Sequence, residues 1–465
     1  MPRIRSKKIN IKIRRQKTYK RLHKKTHKRL HKGGTDDKEN QDPSNNISVY
    51  KAMLERTFQE KPPLSGVLKT ECQNPDNCLA FGQYGDALKQ YFNNFTDLTL
   101  IDNQGLKRIG APSRNGFVIE VPFVKGGYKA YNALKCTASE GSDNLYYEYY
   151  VGKNFINKHV KKLPCFLETF GCYYFNHRDK WNELYNSAKN NSFDGIDLKN
   201  MVSPFVNAGQ NDKELFEQSC EKSLFICLLI QHFDNVRTLG YEWNNNNDNI
   251  DPELYQLLYQ VYYGLTQLGN TYTHYDLHED NVLLYKPYQG KQYITMRYHR
   301  KGKIYEFNTE YICKIIDYGR NYIKLSNGVD TNDLLIGENG ICKLDSCKPD
   351  CGQNYGYNII QGLAYDQDIE FHYIFPNKPN MSHDLRLANS LIEDINYLTS
   401  YGTPENLAPK TDNKSNNIFQ MIEFLEKKIQ KPKHNVNKKY NANWKQAAIM
   451  EIYDDGRDYT YTSIP

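Results

Sequence analysis

The sequence predicts a mixed α+β protein built as a two-lobed unit with insertions, and three observations carry that prediction. At 465 residues the chain exceeds one simple core, since domains run at roughly 100–200 residues. Strand-like segments fill residues 116–137 and 224–230, whereas 251–268 carries apolar positions at helical spacing. Two further segments, TYTHYDLHEDNVLLY (271–285) and ICKIIDYGR (312–320), share one grammar: a polar, acidic cluster abutting an apolar run.

Composition narrows the classes. Hydrophobic residues make up 39% and aromatics 13%, mostly the 38 Tyr, which is enough to fill a core and is not a disordered composition. Mean hydropathy is −0.77. The longest strong apolar run, Leu224 to Ile230, is far short of the ~20 residues of a membrane span, so no membrane role is expected. The N-terminus is basic with no apolar stretch behind it, so no secretory signal is expected. Eleven cysteines, an odd number, then suggest reduced thiols rather than a disulfide scaffold.

The net charge of +7 hides two parts. Residues 1–34 hold 15 Lys/Arg and no acid, which leaves −8 for residues 35–465. Residues 1–46 therefore read as a basic disordered arm and polar linker, ending in Gly33-Gly34 and TDDKENQDPSNN. Such an arm is either simply solvated or a contact for nucleic acid or virion components, because clustered Lys/Arg displace counterions from phosphates. Its histidines at 23, 27 and 31 form a loose stripe, a weaker reading as a metal site.

Residues 47–109 read as an N-terminal extension without legible chemistry. FVIEVPF (117–123), VKGG (124–127) and YKAYNALKCT (128–137) read as strand, turn and strand. NLYYEYYVGKNFINK (144–158) reads as a helix, PCFLETFGCYYF (164–175) as a strand pair or one long strand, and the polar 176–221 as an insertion. LFICLLI (224–230) fits a buried strand. A helix is expected from Asp251 as N-cap with Pro252 at its first position, through Leu254, Leu257, Leu258, Val261, Tyr262, Leu265 and Leu268.

His274-Tyr275-Asp276-Leu277, with Asn281 five residues after the Asp, resembles the protein-kinase catalytic loop HRDLxxxxN, and Asp317-Tyr318-Gly319 resembles its DFG motif. The resemblance covers roughly 110–400. It implies a small β-rich N-lobe with one helix (110–233, with insertion 176–221) and a larger, mainly helical C-lobe (234–465, with a C-terminal extension). It also implies ATP and Mg²⁺ as cofactors. Asp276 becomes the proton acceptor for the incoming hydroxyl, and Asn281 and Asp317 become oxygen ligands for Mg²⁺. Lys135, in Ala133-Leu134-Lys135, matches the end of V-A-I-K and is expected to pair with Glu148 and bind phosphates, with Lys129 the alternative on the same strand. His274 completes the catalytic set.

Gly116-Phe117-Val118 matches the end of GxGxxGxV, with Ala111 and Ser113 at the earlier glycine positions. Backbone near Gln231 and Phe233 is the expected adenine contact. Ser382-His383-Asp384-Leu385-Arg386 resembles the helix start whose Asp anchors the catalytic loop, or is a plain N-cap.

Three features depart from the pattern. The 41 residues separating Asp276 from Asp317 leave room for an inserted hairpin, ITMRYHRKGKIYEF. His278 stands where serine/threonine kinases carry Lys, a form closer to aminoglycoside and choline phosphotransferases. No APE closes the later segment. Cys342, Cys347 and Cys351 (CKLDSCKPDCG) are a candidate zinc cluster, with Cys313 or a His as a fourth ligand.

The Asn/Lys/Tyr/Ile-rich composition, with the YTHYDLHEDNVLLY and CxxxxCxxxCG segments, resembles divergent serine/threonine kinases of giant DNA viruses, mimivirus relatives among them. That implies an infected-cell cytoplasm (viral factory) or virion location. The expected function is a protein kinase on unidentified protein substrates. Its alternatives are a small-molecule phosphotransferase and a kinase-fold scaffold whose arm binds nucleic acid.

Overall fold

The computed structural model describes residues 89–110, 116–126, 128–138, 145–207, 209–233, 236–335, 337, 340, 378–392, 417–431 and 439–464. The basic arm, residues 47–88, Ala111, Ser113 and the cysteines 342, 347 and 351 lie outside them.

A six-stranded antiparallel sheet organises the first half. Its order is β1 (Lys107–Ile109), β2 (Gly116–Lys125), β3 (Tyr128–Thr137), β6 (Ile226–Gln231), β4 (Thr169–Phe175) and β5 (Val202–Pro204). β2 and β3 form a full ten-residue hairpin, Gly116 opposite Thr137 and Lys125 opposite Tyr128. Its turn holds Gly126 at φ +57, a left-handed conformation that glycine adopts at no steric cost. β3 coincides with the expected strand. The 164–175 segment yields one strand, β4, after a turn, and β6 begins only after a 3-10 turn at Ser223–Phe225.

Side-chain alternation gives the sheet two unlike faces. On one, Phe117, Ile119, Val121, Phe123, Leu134 and Cys136 are all buried. Phe95 seals this face, its ring 5.1 Å from those of Phe123 and Phe170. Helix α2 (Arg178–Asn190) adds Tyr185 against Phe117 at 5.5 Å, and its Trp181 donates to the Thr137 carbonyl. Residues from the extension and from the 176–221 segment thus supply the cover, and the latter also supplies β5 and α3 (Asp212–Glu221). The other face carries Val118, Lys135 and Ile230, all partly exposed, and it is packed against α1 (Leu145–Asn154).

In the second half, helix α4 (Leu254–Leu268) is apolar nearly all round and buried nearly all round, as such a helix must be. Asp251 is not its cap. It sits inside a 3-10 turn, Asp251–Glu253, which follows directly on the helical turn Asn247–Ile250. Its own backbone is helical (φ −52, ψ −41), whereas a capping side chain needs an extended backbone. Pro252 does occupy the first turn.

The segment between the two motifs forms the expected hairpin, β10 (Gln292–Arg300) with β11 (Lys303–Thr309). It does not stand alone. The C-terminal β14 (Lys445–Tyr453) pairs parallel with β10, and β15 (Thr460–Ser463) pairs with β14. Tyr298 and Phe307 from the hairpin meet Tyr259 of α4 edge-to-face at 5.0 and 6.0 Å, contacts worth about 0.5–1.5 kcal/mol each beyond burial. Helix α6 (Ile418–Gln430), capped by Asn417, closes the layer against α4, and its Glu426 forms a buried ion pair with Arg300. No helix among the described residues is long and apolar enough to cross a membrane.

Candidate active site

The first motif lies between two short strands, β8 (Tyr272–Thr273) and β9 (Val282–Tyr285). The second follows β12 (Ile312–Ile315) and precedes β13 (Tyr322–Ile323). Two antiparallel pairings bring them together. β9 opposes β12 with Val282 across from Ile315, so Asn281 and Asp317 fall at one end of one ladder. β8 opposes β13, with Thr273 across from Tyr322. The backbone carries the link further, because Ile316 N–H donates to the Asn281 carbonyl at 3.1 Å.

Lys135, Glu148 and Asp317 converge. Lys135 Nζ donates to Glu148 Oε2 at 2.7 Å and to Asp317 Oδ1 at 3.1 Å. Burial alone would lower the Lys135 ammonium, but the two carboxylates outweigh it and hold it above the usual lysine range. Burial likewise pushes the Asp317 carboxyl up, and Lys135 reverses the sign, holding it below its ordinary value. Helix α1 is fixed for this contact by Tyr147, whose hydroxyl donates to the Asn321 carbonyl at 2.7 Å. Lys129, the alternative lysine, is spent on Asp102 at 3.1 Å and does not join the cluster.

Val118 stands directly opposite Lys135, and Ala133 lies two residues along on the same face. A side chain on Gly116 would meet the Cys136 carbonyl at 2.6 Å, so the β2–β3 approach itself demands glycine there. Gln231 ends β6 opposite Asn132, and its Oε1 accepts from Glu168 N–H at 3.2 Å. Phe233 packs on Tyr285, centroids 4.5 Å apart. Between them His232 Nε2 meets Glu120 Oε2 at 2.7 Å, both buried, tying the end of β6 to β2. Sequence reading missed this pair, since neither residue belongs to a motif.

The loop from 274 to 281 is held from beneath by Asp384, immediately before helix α5 (Arg386–Leu391). Its two oxygens accept from His274 N–H (2.8 Å) and Tyr275 N–H (3.0 Å), which decides for the anchor over the plain N-cap. Burial pushes the Asp384 carboxyl up to about 7, against these two bonds. His274 Nε2 bonds the Ile316 carbonyl at 2.9 Å and its Nδ1 accepts from Asp276 N–H. Burial lowers its imidazole below the ordinary value, so it is neutral with the proton on Nε2 and ties one motif to the other. Tyr275 and Asp317 both sit at positive φ, +64 and +68, strained positions held by these bonds.

Asn281 Nδ2 donates to the Asp276 carbonyl at 2.8 Å, which leaves its amide oxygen as the donor atom on the other side. With the Asp317 carboxylate this gives two hard oxygen donors, the ligand type that Mg²⁺ requires. Asp276 itself is partly exposed. Arg386 Nη1 donates to its Oδ1 at 3.0 Å, Arg320 Nε lies 3.9 Å from Oδ2, and His278 Nε2 4.0 Å from Oδ1. The two arginines escaped the sequence reading, although each lies within three residues of a recognised Asp. Cys313 is buried in β12, its thiol donating to the Leu257 carbonyl.

No family model matches this chain, and no curated protein matches it. Among solved structures, a crystal structure described as a kinase domain aligns with a TM-score of 0.25 and 18% identity over 48% of this chain. The chain spans about half of that structure, 53% of its length. A likeness of this size carries no weight for fold or activity.

Proposed function

We propose that the chain is an ATP- and Mg²⁺-dependent phosphotransferase that acts on alcohol groups, and specifically a serine/threonine protein kinase with a two-lobed kinase-like fold. One observation carries the reading: Lys135, Glu148 and Asp317, from three separate segments, meet in one ion-paired cluster beside the Asp276 loop. Chance surface residues seldom converge this way, and paired ionisable groups gathered around a half-buried lysine mark a functional-site candidate.

Phosphoryl transfer is mostly positioning and charge stabilisation. Lys135, held forward by Glu148, binds phosphate oxygens of the nucleotide. Val118 and Ala133 give the apolar face for its base, beside the β6 end at Gln231 and Phe233. Asp317 and Asn281 would hold Mg²⁺, which when bound would supply positive charge against the phosphate oxygens. Asp276 accepts the hydrogen bond of the incoming hydroxyl and takes its proton as the new O–P bond forms, while the bond from the γ-phosphorus to the β–γ bridging oxygen breaks and ADP leaves with that electron pair. His274 and Asp384 keep the loop in its strained form while that happens.

Calorimetric titration of the full chain with ATP tests the nucleotide half of this reading. Binding that depends on Mg²⁺ and weakens at least tenfold in Lys135→Met is expected. Binding indifferent to both would refute it.

A further inference from the structure

The surroundings of Asp276 carry information about the acceptor. Two guanidiniums, Arg386 and Arg320, lie within 4 Å of its carboxylate, with the His278 ring beside them. The neighbouring acids are engaged elsewhere: Glu279 accepts from Ser390 at 3.0 Å and Asp280 from Thr238 at 2.8 Å. Asp317 faces Lys135. Glu279 and Asp280 keep their charges but bond to hydroxyls, so among the described residues the cations within 4 Å of the Asp276 carboxylate are Arg386 and Arg320, with Arg320 also acting on Asp317. The Asp276 bond uses one of the five N–H donors that the Arg386 guanidinium offers. The planar fork suits a carboxylate in two-point contact, while a cationic acceptor would bring like charge against both arginines.

We propose that Arg386 and Arg320 select the acceptor, and that its hydroxyl belongs to a peptide serine or threonine flanked by a carboxylate side chain. This rests on the phosphotransferase reading. It also weighs against polycationic acceptors of the aminoglycoside type, whose amino groups these arginines repel.

The test uses the full chain, Mg-ATP and three serine peptides that differ only in flanking Glu, Gln or Lys, plus a small hydroxy acid. The expected result is a kcat/KM at least tenfold higher for the Glu peptide than for the Gln peptide, with the Lys peptide lowest. The Glu advantage should shrink as salt rises. Arg386→Gln and Arg320→Gln, each checked for an unchanged melting profile, should cut the Glu-to-Gln ratio several-fold. Equal rates on Glu and Gln peptides would overturn the inference and leave the phosphotransferase reading standing. So would variants that slow both peptides by one factor, or transfer to the hydroxy acid alone. No transfer to any acceptor would overturn both.

Discussion

Asp317 and Asp276 lie close in the fold but accept hydrogen bonds from different cations, Lys135 and Arg386. Asp317 faces a lysine from β3 that it shares with Glu148, one cation between two carboxylates. Asp276 faces arginines from two other segments, and both carboxylates are partly exposed. On the proposed reading the difference is functional. A lysine is a compact charge on a flexible stem that can turn from carboxylate to phosphate, whereas an arginine fork holds a carboxylate in a set orientation. One aspartate is therefore built to share its cation with a ligand, and the other to be aimed.

The largest break in this comparison is expected at Asp317. Asp317→Asn removes the charge that Lys135 faces and that the proposed Mg²⁺ would require, and transfer should fall by at least about 10³-fold, with Mg-ATP affinity falling too. Steady-state rates beside ATP titration check it; a variant that keeps full ATP affinity would contradict the assignment.

Asp276→Asn should cost about 10²–10⁴-fold in kcat, the usual size of a lost general base, while ATP affinity stays near the wild-type value. That split between kcat and nucleotide binding is what separates the aimed aspartate from the shared one.

Asp384→Ala acts on the loop rather than on the chemistry. It orphans the buried amides of His274 and Tyr275, at about 1–3 kcal/mol each. A lower melting temperature with faster amide exchange at 274–276 is expected, and unchanged exchange there would contradict the anchor role.

The smallest effect concerns a second buried lysine, Lys314 on β12, which donates to the carbonyls of Pro164 and Phe166. Burial lowers its ammonium to about 7, whereas Lys135, beside two carboxylates, moves the other way. Between pH 7 and the unfolded value near 10.5, the unfolded chain binds the proton that the folded chain releases. Wild-type stability should therefore rise with pH in that window, by at most about 1.4 kcal/mol per unit, and be lost as pH falls through 7. Lys314→Met should lack this slope. A melting-temperature difference between the two proteins that stays flat from pH 7 to 10 would contradict it.

Much of the site was legible because it is written in short spacings. Asp276 and Asn281 lie five apart, and Asp317 follows an apolar run, so strands β9 and β12 needed only to pair to bring them together. Lys135 was legible from strand and spacing, and the structure supports it over Lys129. What escaped was non-local. Nothing in KQAAIMEIY says that it will pair in parallel with a hairpin some 150 residues earlier, because β pairing depends on context rather than on local propensity. Arg386 sat inside a segment already singled out, yet its partner is chosen by tertiary packing. Asp251 had the right residue type for a cap, and the helical turn before it took that role away.

The account turns on one claim, that the Lys135–Glu148–Asp317 cluster and Asp276 act together to move a phosphoryl group. The most direct measurement is label transfer from radiolabelled Mg-ATP to the Glu-flanked serine peptide by the full chain, run beside Asp317→Asn and Asp276→Asn. The account predicts transfer by the wild type and at least a hundredfold loss in each variant. Undiminished transfer by either variant, or none by the wild type, would contradict it.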